Sequence, residues 1–220
     1  MNEAAQREAL CRVGRSLFER GYVHATAGNI SARLADGAGF LITPTDACLG
    51  RLEPAALARV DAQGVQTAGA PASKTLALHR SIYAADTDAR CVLHTHSTEL
   101  VALTLAGPWR PDAVLPPITP YFVMKVGRVP LLPYHRPGDP AVATLAAQAI
   151  TQARESGAPI RAVLCDRLGP IVWHQSPDAA MAVLEELEET AHLWRLTGGR
   201  PAPLSDVRID ELRRFFGARW

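Results

Sequence analysis

The order of predicted strands and helices constrains the fold of this chain more than any other feature. Short apolar runs that suit strands lie between longer segments with helical spacing, but the two types do not alternate regularly. A regular alternation would indicate parallel strands joined by crossover helices. The irregular order instead favours an α/β domain around a mixed or largely antiparallel sheet. A length of 220 residues suits one domain, and we expect it to span residues 1–220.

Helix boundaries are predicted from apolar spacing and from the residues at each end. The N-terminal segment is predicted to be an amphipathic helix, with Leu10, Val13, Leu17 and Phe18 on its apolar side. The segment DPAVATLAAQAITQARESG is predicted to be a helix that Asp139 caps.

The last third of the chain contains a predicted hairpin and the clearest helix. The run RAVLCDRLGPIVWHQ is typical of two strands around a Gly-Pro turn. The segment SPDAAMAVLEELEETAHLWRLTGG begins with the N-cap Ser176 and has helical apolar spacing throughout. Its acidic residues are interpreted as a solvated surface and not as a metal site: Glu185, Glu186, Glu188 and Glu189.

Composition and charge argue against nucleic-acid and membrane partners. The net charge is +1 with neutral histidines, and basic residues do not cluster among aromatics as in a nucleic-acid groove. No apolar run reaches the roughly eighteen residues of a membrane span. The N-terminus lacks the apolar centre of a secretory signal, and four scattered cysteines indicate free thiols in a reducing compartment. We therefore expect a cytoplasmic protein.

The stretch VLHTHSTEL contains the strongest chemical signal, the pair His94 and His96. Side chains alternate along a strand, so both imidazoles would leave the same face of one. Such a pair presents two metal ligands from one rigid element, whereas a catalytic zinc generally takes three protein ligands. The alternative interpretation is two hydrogen-bonded or surface histidines at the end of a strand.

Three short polar segments, TAGNIS, TPT and SK, indicate a phosphate site. Gly28 frees backbone N–H groups, Asn29 and Thr43 supply side-chain donors, and Ser73 with Lys74 opens a helix. Glycine loops and helix N-termini both favour anions. A turn or a helix cap would explain each segment taken alone, so the prediction depends on their coming together in the fold.

These motifs together resemble a known family. The stretches GRSLFERGYVHATAGNIS, LITPT, SKTLALH and VLHTHST are similar to the class II aldolase/adducin family. The stretches PPITPYFVMKVG, PYHRPGDPAVA and EELEETAHLW resemble the branch of that family that decarboxylates 3-oxo-tetronate 4-phosphates. The resemblance runs from about residue 7 to the C-terminus.

The resemblance implies a single α/β/α domain around a central, mostly antiparallel sheet. It further implies a homotetramer with active sites at subunit interfaces, and a small phosphorylated sugar acid or keto acid as substrate. In the family, two histidines of an H-x-H motif and a third histidine hold zinc. The metal polarises the substrate carbonyl and stabilises an enolate, which serves decarboxylation and retro-aldol cleavage alike.

Most family motif positions match this chain, but two central ones do not. His94 and His96 match two zinc ligands, and the phosphate positions match Gly28, Asn29, Thr43, Ser73 and Lys74. The family's acid/base glutamate falls on Thr75. Its third zinc ligand falls in CDRLGP, where Arg167 and Leu168 stand. Leu168 cannot bind a metal, and Arg167 adds a permanent positive charge.

Three hypotheses follow from these departures. In the first, zinc is kept by a substitute ligand: His135, His24 or Asp166. In the second, the phosphate pocket survives without metal, and Lys74 and Arg167 act as the catalytic electrophiles. In the third, the chain is inactive and binds a metabolite or a partner subunit. We favour a carbon–carbon lyase over the inactive alternative.

Overall fold

Residues 2–34 and 37–220 are described by a computed structural model of the chain. Within them, eight strands form one sheet in the order β4-β3-β2-β1-β5-β8-β7-β6. All neighbouring strands run antiparallel except β6 and β7, which run parallel. The strands are β1 (Asn29–Arg33), β2 (Gly39–Ile42), β3 (Ala58–Asp61), β4 (Gln66–Ala68), β5 (Cys91–His94), β6 (Leu131–Leu132), β7 (Ala162–Cys165) and β8 (Gly169–His174).

Helices cover both faces of this sheet. The helices are α1 (Glu3–Glu19), α2 (Leu76–Ala85), α3 (Thr98–Ala106), α4 (Pro120–Lys125), α5 (Ala141–Glu155), α6 (Pro177–Leu196) and α7 (Asp206–Phe216). One apolar cluster joins α2 and α5 to one face, and a larger cluster joins α1, α3, α4, α6 and α7 to the other. The predicted α/β fold with a mostly antiparallel sheet is confirmed. None of the helices in the described ranges is both long and apolar enough to cross a membrane.

Side-chain alternation along β5 decides what faces each helical layer. Cys91 and Leu93 pack in the larger cluster, whereas Val92 packs in the cluster with α2 and α5. Because the period of a strand is two, His94 leaves β5 on the same side as Val92. The end of β5 therefore points its histidine toward the layer formed by α2 and α5.

Two details of α1 and α5 differ from the sequence-based expectations. Phe18 is 39% exposed, although it follows the fully buried Leu17. Helix α5 begins at Ala141 with Pro140 as its N-cap residue, but Asp139 Oδ1 still accepts a hydrogen bond from Ala141 N at 3.0 Å. The side chain of Asp139 thus caps the helix from one position earlier.

The turn of the β7–β8 hairpin is not Gly-Pro. Residues 166–168 form it, and Gly169 and Pro170 already belong to β8. Gly169 has φ +120°, and a Cβ there would lie 2.2 Å from the carbonyl oxygen of Thr95. The glycine is needed because this backbone passes directly against the residues that follow β5.

Glu188 corrects the interpretation of the α6 glutamates as a solvated surface. It is only 6% exposed, and its carboxylate accepts hydrogen bonds from the backbone N–H groups of Glu99 and Leu100, at 2.8 and 3.2 Å. Burial raises the pKa of this carboxyl group. Ser97 makes no side-chain capping bond to α3, so Glu188 caps that helix from α6. The contact fixes the backbone just beyond His96.

Replacing Glu188 by alanine should lower the free energy of unfolding by about 1–3 kcal/mol, because two backbone N–H groups, one of them fully buried, lose their acceptor. Glu189, exposed on the same helix, provides the matched control. Its alanine variant should change stability by less than about 0.5 kcal/mol. Urea denaturation measures both variants, and equal losses in the two would contradict this role of Glu188.

Candidate active site

Thr43 joins the three predicted phosphate-binding segments. Its backbone N–H donates to Ile30 O at 2.9 Å, and its Oγ1 accepts from Ile30 N at 3.1 Å. Its carbonyl oxygen accepts from Ser73 N at 3.1 Å. Two residues further on, Thr45 N donates to Pro71 O at 2.8 Å. The segments therefore meet at one end of β1, as the phosphate prediction requires.

A cavity of about 480 Å³ opens where these segments meet. Its lining comes from the start of β1, the segment after β2, the start of α2, the ends of β5 and β7, and the turn before α5. It brings together six of the predicted site residues: Gly28, Asn29, Ser73, Lys74, His94 and His96. The volume lies within the usual range for small-molecule sites.

Gly28 has a backbone conformation that only glycine takes readily. Its φ is +85°, and a Cβ there would lie 2.7 Å from His94 O and 2.9 Å from Val23 Cγ1. The loop thus lies directly against the end of β5. Ala25 in the same loop also has a positive φ, of 47°. Residues with strained backbone conformations of this kind are common at binding sites.

The start of α2 supplies polar groups on the other side of the cavity. Thr75 precedes the helix and forms no side-chain capping bond with it. The Ser73 and Thr75 hydroxyl oxygens lie 2.9 Å apart, and the Lys74 side chain is exposed to the cavity solvent. A helix N-terminus beside an ammonium group favours an anion.

Strand pairing places Asn29 directly opposite His94. The two are register partners in the antiparallel pair of β1 and β5. Asn29 is 7% exposed and His94 5% exposed, and both line the cavity. The segment around Asn29 and the histidine pair therefore line the same side of the cavity.

His94 and His96 are close together but do not project from the same strand. His94 is the last residue of β5, and His96 lies beyond it. Their ring centroids are 5.0 Å apart. The expectation that strand alternation alone would align them is wrong, because the strand ends between the two. The backbone after β5 nevertheless brings both rings to the cavity.

Both histidines are held in the neutral state at neutral pH. Burial, and after it the neighbouring His96, lowers the pKa of His94 to about 4. Burial also lowers the pKa of His96. His94 Nδ1 lies 3.0 Å from Pro170 O, so Nδ1 carries the proton and donates it. The other nitrogen, Nε2, therefore presents a lone pair, as in a metal-ligating histidine.

Among the described residues, the side of the cavity that carries His94 and His96 has no third metal ligand. Leu168 lines the cavity where the family places its third histidine, beside Cys165 and Ile171. Across residues 2–34 and 37–220, no group of three His, Cys, Asp or Glu side chains is placed to hold a metal. The described residues therefore do not fit a zinc centre with three ligands from this chain.

The three substitute ligands suggested from the sequence lie outside the lining of this cavity. The ring of His24 is 6.5 Å from that of His96, measured between centroids. His135 Nδ1 faces Asp139 Oδ2 at 3.7 Å, and Asp166 Oδ2 lies 4.0 Å from Arg167 Nε. None of the three substitutes lines the cavity.

Two predicted site residues do not reach the cavity. The hydroxyl of Thr43 is fully buried in its bond to Ile30, so it holds the segments together without facing a ligand. Arg167 lies in the β7–β8 turn with φ +61°, and its N–H donates to Thr104 Oγ1 at 3.0 Å. Its side chain is 61% exposed and does not line the cavity.

Sequence reasoning missed part of the lining. Arg136 and the residues that follow it, up to the start of α5, form one side of the cavity, and Asp46 contributes from the segment after β2. The short runs Arg-Pro and Gly-Asp-Pro before a helix were a usable signal, because turns at helix starts often carry binding groups.

Comparison with known proteins identifies the fold family. The profile of the Class II Aldolase and Adducin N-terminal domain matches residues 8–195. The chain belongs to this family. This confirms the resemblance drawn from the sequence motifs. It also agrees with the observed fold, in which helices flank a mostly antiparallel sheet.

Similar members of the family cover nearly the whole chain. A 3-oxo-tetronate 4-phosphate decarboxylase of Cupriavidus necator is 56% identical over 223 residues, covering 99% of each chain. The protein of the same name from Escherichia coli K12 is 40% identical over 212 residues, covering 96% of each. The crystal structure of YgbL from Klebsiella pneumoniae is 39% identical with a TM-score of 0.88, covering 97% of this chain and 100% of that one.

Replacing Gly28 by alanine should lower the free energy of unfolding by more than about 3 kcal/mol, because the new methyl group meets the His94 carbonyl and Val23. Gly157 is the matched control, since its φ is +76° and the described residues leave open space where its Cβ would lie. Its alanine variant should lose only about 1 kcal/mol. Guanidinium denaturation compares the two, and similar losses would show that close packing at Gly28 is unimportant.

Proposed function

We propose that this protein is a carbon–carbon lyase that decarboxylates a 3-oxo-tetronate 4-phosphate. One observation carries the proposal: a single cavity joins the anion-binding segments around Asn29 and Lys74 to the histidine pair. High identity over the full length to decarboxylases of that name supports the same reaction. Retro-aldol cleavage uses the same charge stabilisation, but these relatives favour decarboxylation.

The charges in the cavity suit a substrate with an anion at each end. A 3-oxo-tetronate 4-phosphate carries a carboxylate at C1, a ketone at C3 and a phosphate at C4. Lys74 lies at the start of α2, and Arg136 lies in the turn before α5. We propose that the phosphate binds at Gly28, Asn29, Ser73 and Lys74. Arg136 takes the place that the sequence prediction gave to Arg167, as the second cation.

Decarboxylation requires stabilisation of an enolate. The C1–C2 bond breaks, CO₂ leaves, and the electron pair forms an enolate across C2, C3 and the C3 oxygen. Protonation at C2 then gives a three-carbon keto phosphate. His94 presents a lone pair and not a donor, so it is unsuited to bind the enolate oxygen directly. The cationic side chain of Lys74 supplies stabilisation for that negative charge.

A metabolite-binding protein without turnover is the second candidate. Thr75 lines the cavity where the family carries its acid/base glutamate, and a threonine hydroxyl does not exchange protons near neutral pH as a carboxylate does. This replacement favours the second candidate, whereas the retained cation and histidines favour the lyase.

Turnover of 3-oxo-tetronate 4-phosphate, followed by CO₂ release, separates the two candidates. The Lys74→Met variant should lower kcat/KM by about 100-fold or more, because the charge that stabilises the enolate is removed. Lys125→Met is the matched control, since Lys125 is exposed at the end of α4 and away from the cavity. Binding of the substrate without any CO₂ release would instead support the metabolite-binding alternative.

We propose that a divalent metal such as zinc takes only His94 and His96 as ligands from this chain. The neutral rings and the Pro170 contact of His94 suit ligation. A site with two protein ligands binds zinc more weakly than one with three. Bound metal would supply Lewis-acid chemistry to the ketone oxygen.

The Leu168→His variant should bind Zn²⁺ at least about tenfold more tightly than the wild type, because it restores a third ligand. His94→Ala should abolish the binding in both backgrounds. Competition against a chelating dye measures these affinities without reference to activity. Wild-type protein that keeps one zinc per chain after dialysis against chelator would contradict the two-ligand site.

We also propose that the protein is a one-domain chain that forms a homotetramer in the cytoplasm, with active sites at subunit interfaces. Large apolar side chains on the surface support assembly: Tyr121, Tyr134, Val207, Phe215 and Phe216. Unpaired buried cysteines support a reducing compartment: Cys11, Cys91 and Cys165.

A further inference from the structure

A buried chain of hydrogen bonds runs behind the cavity wall, between β1 and α2. His79 Nε2 lies 2.6 Å from Asn29 Oδ1, and His79 Nδ1 lies 2.7 Å from Ser31 Oγ. Ser31 Oγ lies 2.8 Å from the hydroxyl oxygen of Tyr83. His79 and Ser31 are completely buried, and Tyr83 is 2% exposed. The first member, Asn29, also lines the cavity.

With Asn29 Oδ1 facing His79, each bond in this chain takes one direction. Asn29 Oδ1 is a carbonyl oxygen and only accepts, so His79 Nε2 carries a proton and donates it. Burial lowers the pKa of His79 to about 3, so the ring is neutral and its Nδ1 accepts. The hydroxyl of Ser31 is the donor to Nδ1.

Tyr83 supplies the proton at the far end. Burial keeps the pKa of its phenol well above the usual value, so the hydroxyl stays protonated. Because the Ser31 proton is committed to His79, the Ser31 oxygen accepts from Tyr83. Donation therefore runs from Tyr83 to Ser31 to His79, and from His79 to Asn29.

This arrangement holds the oxygen end of the Asn29 amide against His79, which leaves the other end for the cavity. An amide can rotate by half a turn and exchange its oxygen and nitrogen with little change in shape. Here Oδ1 is held by the buried His79, and among the described residues the Asn29 side chain forms its hydrogen bond through that oxygen. The NH₂ group, with two donors, is left for the cavity, where a donor binds an anion and an acceptor repels it.

We propose that His79 is a positioning residue of the anion site, which turns the Asn29 amide so that its NH₂ group binds the substrate phosphate. Ser31 and Tyr83 hold His79 in the orientation that this requires. The inference rests on the proposed phosphate site, and it assigns a function to a histidine that touches no substrate.

The inference is tested by the affinity of the whole protein for inorganic phosphate, measured by calorimetry. His79→Leu removes the donor to Asn29 and should weaken phosphate binding about tenfold. His79→Gln provides a donor and an acceptor in one amide, so it should restore much of the affinity. Ser81→Ala, on the same helix but bonded to Ala143 O, is the control and should bind like the wild type.

A double-mutant cycle with Asn29→Ala distinguishes positioning from general structural support. If His79 acts through Asn29, His79→Leu should cause no further loss of phosphate affinity once Asn29 is alanine. A loss of similar size in both backgrounds would overturn the proposal. Unchanged phosphate affinity in His79→Leu, with Asn29→Ala weakened, would also overturn it.

Tyr83→Phe covers the case in which His79→Leu does not fold. It removes one hydroxyl from the end of the chain and should weaken phosphate binding about two- to threefold, again only while Asn29 is present. Wild-type affinity in Tyr83→Phe would overturn the proposal. Failure of the wild-type protein itself to bind phosphate would instead contradict the proposed phosphate site, and with it this inference.

Discussion

The buried contact between Thr43 and Ile30 is the interaction on which the rest of the site depends. Two hydrogen bonds join the residues, and the carbonyl oxygen of Thr43 receives a third from Ser73 N. These bonds bring a loop, a strand end and a helix start together although they are far apart in sequence. Because Thr43 is fully buried, water does not compete for the bonds. The cavity, with its polar segments on one side and its histidine pair, is built around this junction.

Much of the fold was accessible from the sequence because local pattern and long-range packing agree. The irregular order of strands and helices predicted a mostly antiparallel sheet, and the six cavity residues predicted from motifs do meet. The boundary of β5 was not predictable in the same way. It ends at His94, and just beyond that end Gly169 of β8 passes against Thr95, a contact between residues distant in sequence. His96 therefore reaches the cavity from a loop and not from the strand.

The errors share a physical cause, since residue type alone does not reveal which way a side chain faces. Thr43 has the right chemistry for phosphate, but its hydroxyl is turned into the interior, where it accepts from Ile30 N. Glu188 carries a charge, yet its place against α3 buries it as a helix cap. Arg136 belongs to a turn whose position depends on the packing of α5. At Leu168 the sequence alone was informative, because no packing arrangement makes an apolar side chain a metal ligand.

The pairing of Asn29 with His94 has a consequence for ligand choice. Cross-strand neighbours in an antiparallel ladder are held at a nearly constant separation, since hydrogen bonds on both sides resist stretching. On the proposed site, a compound with its phosphate at Asn29 and its reactive end beside His94 must therefore have the right number of carbons between the two. One methylene more or less would misplace one end, and a single methylene typically changes binding by about 1–3 kcal/mol. On the proposed binding mode, the sheet itself would select ligands by chain length.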